Sequence, residues 1–355
     1  MPDFVQLDHS DLGLEADRLG DHPHPREMLW YGGSIASEHM LLNAYRSEKL
    51  HHAWLISGPE GIGKATLAYR FARFLFANPD PTSAQVQQAA DLSVPADHPV
   101  TGKVARLSHP DLAVIRRGLT KDGKSLRAEI AVDDVRDGLS LFKVTAGAGG
   151  WRIVIVDAAD DLNRASANAL LKMLEEPPSR AIFLLLAQKP GSLLPTIRSR
   201  CQTLRVAALE QAVIIDGIKR LTGNTGPQMA EVAQLAQGSL REALILLDPT
   251  TAAFRRETRR LLEGNHQLEG KALMALLEKT TGKTGVDAFH ILIEMIEQHL
   301  REMVLGDKSS AILAATAELW EKLRTSARDV ETYNLDRRPF LLSIFAQLAD
   351  IKSRT

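Results

Sequence analysis

The hydrophobic pattern is densest in the middle of the chain. Three short runs there, Ile153 to Val156, Ala181 to Ala187 and Thr203 to Val206, read as continuous rather than alternating. That is the pattern of parallel strands covered on both faces. Between the first two, Asn163 stands where a helix cap is needed, Ala167, Leu170, Leu171 and Leu174 fall on one face, and Pro177-Pro178 ends the run, so the spacing predicts a helix from Asn163 to Glu176. Upstream, a helical pattern from Ser34 to Leu50 leads into a strand at Ala53 to Ser57. Leu112 to Ile115 reads as a strand and Val132 to Phe142 as a helix, with a glycine-rich loop at Ala146 to Gly150. Residues 78 to 110 are polar, broken by Pro79, Pro81, Pro95, Pro99 and Pro110, and read as loop. Residues 1 to 24 have no sustained period and are expected to form a flexible extension.

From Ala208 to Leu247 the pattern predicts two or three amphipathic helices, and after Thr250 it is helical throughout. Phe289, Leu292, Ile293, Ile296 and Leu300 make one apolar stripe. Ile312, Leu319, Trp320 and Leu323 make a second, and Leu341, Ile344, Phe345 and Leu348 a third. Alternating strands and helices followed by helices alone imply an α/β core with an all-helical appendage.

One segment carries recognisable chemistry. Gly58-Pro-Glu-Gly61-Ile-Gly63-Lys64 matches G-x-x-x-x-G-K between a predicted strand and a predicted helix. Such glycines let backbone N–H groups turn toward phosphates, and the lysine reaches the terminal oxygens. The next position, where a Ser or Thr hydroxyl would hold Mg²⁺, is Ala65. Thr66 lies one residue on, rotated by about 100° around the helix. The loop therefore reads either as a nucleotide site that has lost productive metal binding or as a loop that holds no nucleotide. Asp157, closing the first central strand, is a candidate Walker B carboxylate, because ligands bind at the carboxyl edge of such sheets. Thr281-Gly-Lys-Thr284 imitates the end of a phosphate loop, but Leu277 occupies the first glycine position and no strand precedes it.

The composition narrows the function. A chain of 355 residues has room for two or three domains. With 43 Lys and Arg against 44 Asp and Glu, the net charge of −1 lacks the basic excess of an autonomous nucleic-acid binder. Its one cysteine, Cys201, makes no disulfide within the chain, which fits a reducing cytosol, and reads as a small buried hydrophobe. His22 and His24, and likewise His98 and His109, read as turn or surface residues rather than ligands. No run approaches the roughly 20 apolar residues of a membrane span, and the first residues do not resemble a signal peptide, so a soluble, cytoplasmic protein is expected.

Asn168-Ala-Leu-Leu-Lys-Met-Leu-Glu-Glu-Pro-Pro178, Ser199-Arg200-Cys201 and Gly238-Ser239-Leu240-Arg241 together resemble the clamp-loader branch of AAA+ proteins. The likeness is good from about Pro25 to Leu247 and holds only in pattern beyond. It implies a P-loop domain with a parallel five-stranded sheet at 25–206, a small helical lid at 207–250 and a helical collar for oligomerisation at 251–355. Gly58, Gly61, Gly63, Lys64, Thr66, Asp157 and Arg241 would form a degenerate nucleotide site, with ATP or ADP held weakly or not at all. Ser239 would cap the helix carrying Arg241, an arginine that either senses nucleotide or only pairs with carboxylates. Arg200 would act as a finger on the nucleotide of a neighbouring subunit.

Where active relatives carry Asp-Glu-Ala-Asp, this chain has Asp157-Ala-Ala-Asp160, so the water-polarising glutamate is missing and Asp160 and Asp161 are displaced substitutes. The four-cysteine zinc module that many relatives carry between 78 and 110 is absent, and no zinc is expected. The resemblance thus implies a non-catalytic clamp-loader subunit of a DNA polymerase holoenzyme, with no ATP hydrolysis by the isolated chain. Its partners would be gamma/tau and delta subunits, the sliding clamp and, through the complex, primer-template DNA. The alternative is a catalytically active gamma/tau-type ATPase.

Overall fold

Alternation along the strands builds the sheet. The computed structural model describes residues 3–5, 7, 15, 18–120, 126–143, 150–264, 270–281, 286–305, 310–332 and 335–353. Five strands, β1 (Ala53–Ser57), β2 (Leu112–Ile115), β3 (Arg152–Asp157), β4 (Ala181–Ala187) and β5 (Gln202–Arg205), form one parallel sheet in the order β2-β3-β4-β1-β5. Trp54, Ile56, Ile153, Ile155, Ile182, Leu184 and Leu186 fill one face. They pack against Leu41, Leu42 and Tyr45 of α1 (Ile35–Arg46) and Leu67, Phe71 and Leu75 of α2 (Lys64–Ala77). Leu55, Val154, Val156, Phe183 and Leu185 fill the other, against helices that follow β2 and β3. Both faces of β1, β3 and β4 are therefore apolar, which is why those runs do not alternate.

The third run is different. β5 is an edge strand in which only Leu204 is buried, and Gln202, Thr203 and Arg205 are exposed. The expectation of a strand covered on both faces is corrected there, because a sheet edge leaves polar side chains in water. The interval 78–110 is also more ordered than its prolines suggest. It contains α3 (Ala84–Gln88) and α4 (Pro99–Ala105), held by the buried Val86 and Val104. Ser83 caps the first helix, and the ring of His98 accepts from Val100 N–H to cap the second. His109 stacks on Phe76.

The other helices follow their patterns. α5 (Val132–Leu139) continues as a 3₁₀ turn at Ser140–Lys143, and α6 (Arg164–Glu175) is capped by Asn163, whose Oδ1 accepts from the amides of Ala165 and Ser166. α7 (Pro195–Arg198) is a short turn before β5. Then come α8 (Gln211–Thr222), α9 (Met229–Leu235) and α10 (Leu240–Leu246). Most of the glycine-rich loop, residues 144–149, lies outside the described residues.

The N-terminal segment is corrected as well. Its described residues are docked, with Phe4 bridging Met28, Val5 N–H donating to Glu27 at 2.8 Å and Leu29 N–H to Asp3 at 2.8 Å. Glu15, whose side chain is 8% exposed, receives both oxygens' worth of hydrogen bonds from Arg26 at 3.0 Å, one from Arg116 at 2.6 Å and one from Arg18 at 3.1 Å. A polar segment can be ordered by ion pairs as well as by apolar burial. Sequence period reports only the second.

The chain divides into two compact units, Met1–Leu244 and Ile245–Thr355. The second comprises α11 (Pro249–Glu263), α12 (Gly270–Lys279), α13 (Val286–Leu305), α14 (Ser310–Thr332) and α15 (Arg337–Ser353). All three predicted stripes enter its single core, with Ile293 and Trp320 at the margin. Gly282, Lys283 and Thr284 of the loop-like string lie outside the described residues. Among the described residues no helix is long and apolar enough to cross a membrane.

Candidate nucleotide site and the Arg200 surface

The phosphate loop leaves β1 at the carboxyl edge of the sheet, where a cavity of about 240 Å³ opens. Gly61 and Gly63 have φ of +73° and +91°, a region open to glycine and strained for other residues. Gly63 ends the loop and α2 begins at Lys64, so the first helical amides face the cavity that Gly61, Gly63, Lys64, Ala65 and Thr66 line. Gly58 does not line the cavity, and its carbonyl instead accepts from Lys64. The Lys64 ammonium is buried and turned onto the Gly58 and Pro59 carbonyls, at 2.8 Å from the first. Burial lowers its pKa, opposed by the charges of Asp157, Glu60 and Asp160.

The loop is packed against the residues that follow α9. Leu240 N–H donates to the Gly61 carbonyl at 3.0 Å, and Arg241 Nε lies 3.3 Å from Glu60. Ser239 caps α10 by accepting from Glu242 N–H at 3.1 Å. A Cβ on Gly61 would come within 2.1 Å of Ser239 Oγ, so this approach requires glycine. Arg241 thus lines the cavity, with a carboxylate of the loop itself, Glu60, as its partner.

The acidic residues have separate tasks. Asp157 ends β3 and lines the cavity. Asp160 points elsewhere and accepts from Gln188 N–H at 2.6 Å, Lys189 N–H at 2.8 Å and Ser192 Oγ at 3.3 Å, which fastens the exit of β4. Asp161 lies 3.1 Å from Arg117 Nε, and burial raises its pKa against the pull of that guanidinium. Asp161 lines the cavity and Asp160 does not. The residues present do not fit an ordinary P-loop magnesium site, because position 65 has no hydroxyl.

Sequence reasoning missed several cavity residues. Trp30, Tyr31 and His22 line it from the docked N-terminal segment, Arg117 from beyond β2 and Gln188 from beyond β4. The one readable signal was Arg116-Arg117, two cations directly after the strand β2.

Arg200 lies outside this cavity. It follows α7, its Nη2 is 2.8 Å from Glu175 at the end of α6, and its Nη1 donates to the Thr196 carbonyl at 3.0 Å. The side chain remains 35% exposed. Cys201 beside it is half-buried, and burial pushes its thiol up to about 12.

A family described as "DNA polymerase III, delta subunit" matches residues 35–210 of the chain. The chain is similar to DNA polymerase III subunit delta' of Pseudomonas aeruginosa, at 36% identity over 42% of this chain and 41% of that protein. It is similar to subunit delta' of Yersinia pestis at 31% identity over 64% of each. It is also similar to subunit tau/gamma of Haemophilus influenzae, at 28% over 71% of this chain and 38% of that protein. The chain therefore spans only about two fifths of the Haemophilus and Pseudomonas relatives.

Proposed function

We propose that the chain is a delta'-type member of the clamp-loader family of DNA polymerase III subunits, which its similarity to delta' and tau/gamma subunits supports, and that it hydrolyses no ATP itself. It holds ATP or ADP weakly at most, and it supplies Arg200 to the nucleotide of an adjacent gamma/tau-type subunit. With delta it helps place the sliding clamp on primed DNA in the cytoplasm. The observation that carries this reading is the fate of the carboxylates. Asp160 and Asp161 are committed to Gln188, Lys189 and Arg117, and positions 65 and 158 are alanine. The same observation disfavours an active gamma/tau-type ATPase.

Arg200 suits the second task. Glu175 and the Thr196 carbonyl fix the orientation of its guanidinium while part of it stays in solvent. Its planar fork matches phosphate oxygens in a way a lysine does not. A cation delivered from outside a site stabilises the charge that develops on the γ-oxygens during transfer, and such fingers contribute ~10³ to 10⁵ in rate. Subunits that pack head to tail expose one chain's surface to the next chain's site.

The test is DNA- and clamp-stimulated ATPase of the reconstituted complex with wild-type or Arg200→Ala subunit. Folding and assembly should be unchanged, turnover at one adjacent site should be lost, and Arg200→Lys should rescue poorly. Unchanged turnover and clamp loading would reduce the Ser199-Arg200-Cys201 triplet to a structural turn.

A further inference from the structure

The cavity contains a cation that no P-loop motif supplies. Ile115 of β2 pairs with Val156 of β3, so the residues just past these strands leave the sheet side by side. Arg116 goes to Glu15. Arg117 lines the cavity together with Lys64, Asp157 and Asp161. The resting partner of Arg117 is Asp161, whose Oδ2 lies 3.1 Å from the buried Nε of the guanidinium.

We propose that this cavity binds a nucleoside diphosphate or triphosphate without Mg²⁺, and that Arg117 takes over the charge neutralisation a metal ion would supply. The proposal rests on the reading of the P-loop as a surviving nucleotide site. In ordinary P-loop sites the metal is held by the hydroxyl after the lysine and offsets phosphate charge. Here that hydroxyl is missing, Asp160 is engaged with the exit of β4 and Asp161 with Arg117, and the residues do not fit the ion. A polyphosphate placed on the helical amides of α2 would still meet three cations, Lys64 from the loop, Arg241 from α10, which Glu60 already pairs, and Arg117 from across the cavity. A guanidinium stays charged at any physiological pH and presents a fork to phosphate oxygens. The phosphates would draw Arg117 from Asp161, so that carboxylate competes with the ligand.

The probe is ADP, titrated calorimetrically into the full chain in excess Mg²⁺ and in excess EDTA. Binding in EDTA should be as tight as in Mg²⁺, or tighter because chelation frees ADP from its own metal. In EDTA, Arg117→Gln should weaken it by about ten- to a hundredfold, the size expected for losing a charged hydrogen-bonding partner. Arg117→Lys should fall between, and Asp161→Asn should tighten binding by removing the competitor. Melting curves show that each variant is folded, and Asp161→Asn keeps the test decisive should Arg117→Gln not fold.

Loss of binding in EDTA, an unchanged affinity in Arg117→Gln, or no ADP binding by the wild-type chain in either condition each overturns the proposal. None of these touches the role of Arg200, which is read separately from the turnover of the complex.

Discussion

Glu15→Gln tests whether the N-terminal segment is held by charge. In the native chain burial alone would raise the Glu15 carboxyl, but hydrogen bonds from Arg26 and Arg116, together with their charges, outweigh it and bring the pKa from 4.5 to about 2. Taken at face value that drop is ~3.4 kcal/mol of preference for the charged, docked form. Arg18 and Arg116 keep some contact with water, and solvent screening reduces the figure to ~2 kcal/mol. Because the folded pKa is depressed, this stabilisation is complete above pH 4.5 and is lost as the pH falls toward 2.

The assay is hydrogen exchange at the amides of Val5, Leu29 and Trp30, which donate to Glu27 and Asp3 and so report the docking of this segment alone. At pH 7 the variant should lose about thirtyfold in protection, the equivalent of ~2 kcal/mol of opening free energy. At pH 3 the difference between variant and wild type should shrink to less than half. Equal protection at pH 7, or a difference as large at pH 3 as at pH 7, would refute the assignment of the docking to Glu15.

Two further outcomes follow from the geometry. Gly61→Ala combines a φ of +73° with a Cβ 2.1 Å from Ser239 Oγ and 2.6 Å from Arg241 Cβ, and should cost ~2 kcal/mol or more; a thermal midpoint unchanged from wild type would contradict the close packing of loop and α10. Cys201, with its thiol pushed up to about 12, should react with iodoacetamide at pH 8 about a thousandfold more slowly than an ordinary thiol, and a rate near that of free cysteine would show that it is not buried.

What the sequence revealed was local. β1, β3 and β4 were legible because strands covered on both faces are continuously apolar, and the phosphate loop because all its parts lie within seven residues. β5 was misjudged because Thr203 and Arg205 stand in a run flanked by apolar residues, and edge position is a property of the sheet. Of the two helices within 78–110, α3 is held by a cap and one buried valine and α4, seven residues long, by a cap and the buried Thr101, Val104 and Ala105, too little to show a period. The docking of Glu15 depends on Arg116, 101 positions away, and the entry of Arg117 into the cavity depends on the parallel register of β2 and β3. Contacts made by topology leave no trace in spacing.

That dependence on topology also bears on the proposed role of Arg200. Arg200 is placed by two supports. The first is β5, which begins two residues later and is registered on β1 through Trp54 opposite Gln202 and Ser57 opposite Arg205. The second is Glu175, the last residue of a twelve-residue helix about 18 Å long that starts just after the Asp160 and Asp161 turn. β1 runs directly into the phosphate loop, and the Asp160 turn is fastened to the exit of β4. The strands and the phosphate loop therefore set the position of Arg200. A substitution that loosened the P-loop or the Asp160 turn would displace the guanidinium even if this chain never turned over a nucleotide, and misplacement of a catalytic group by about 1 Å is enough to lose much of its effect. On the proposed role, the placement of Arg200 depends on the loop whether or not this chain turns over a nucleotide.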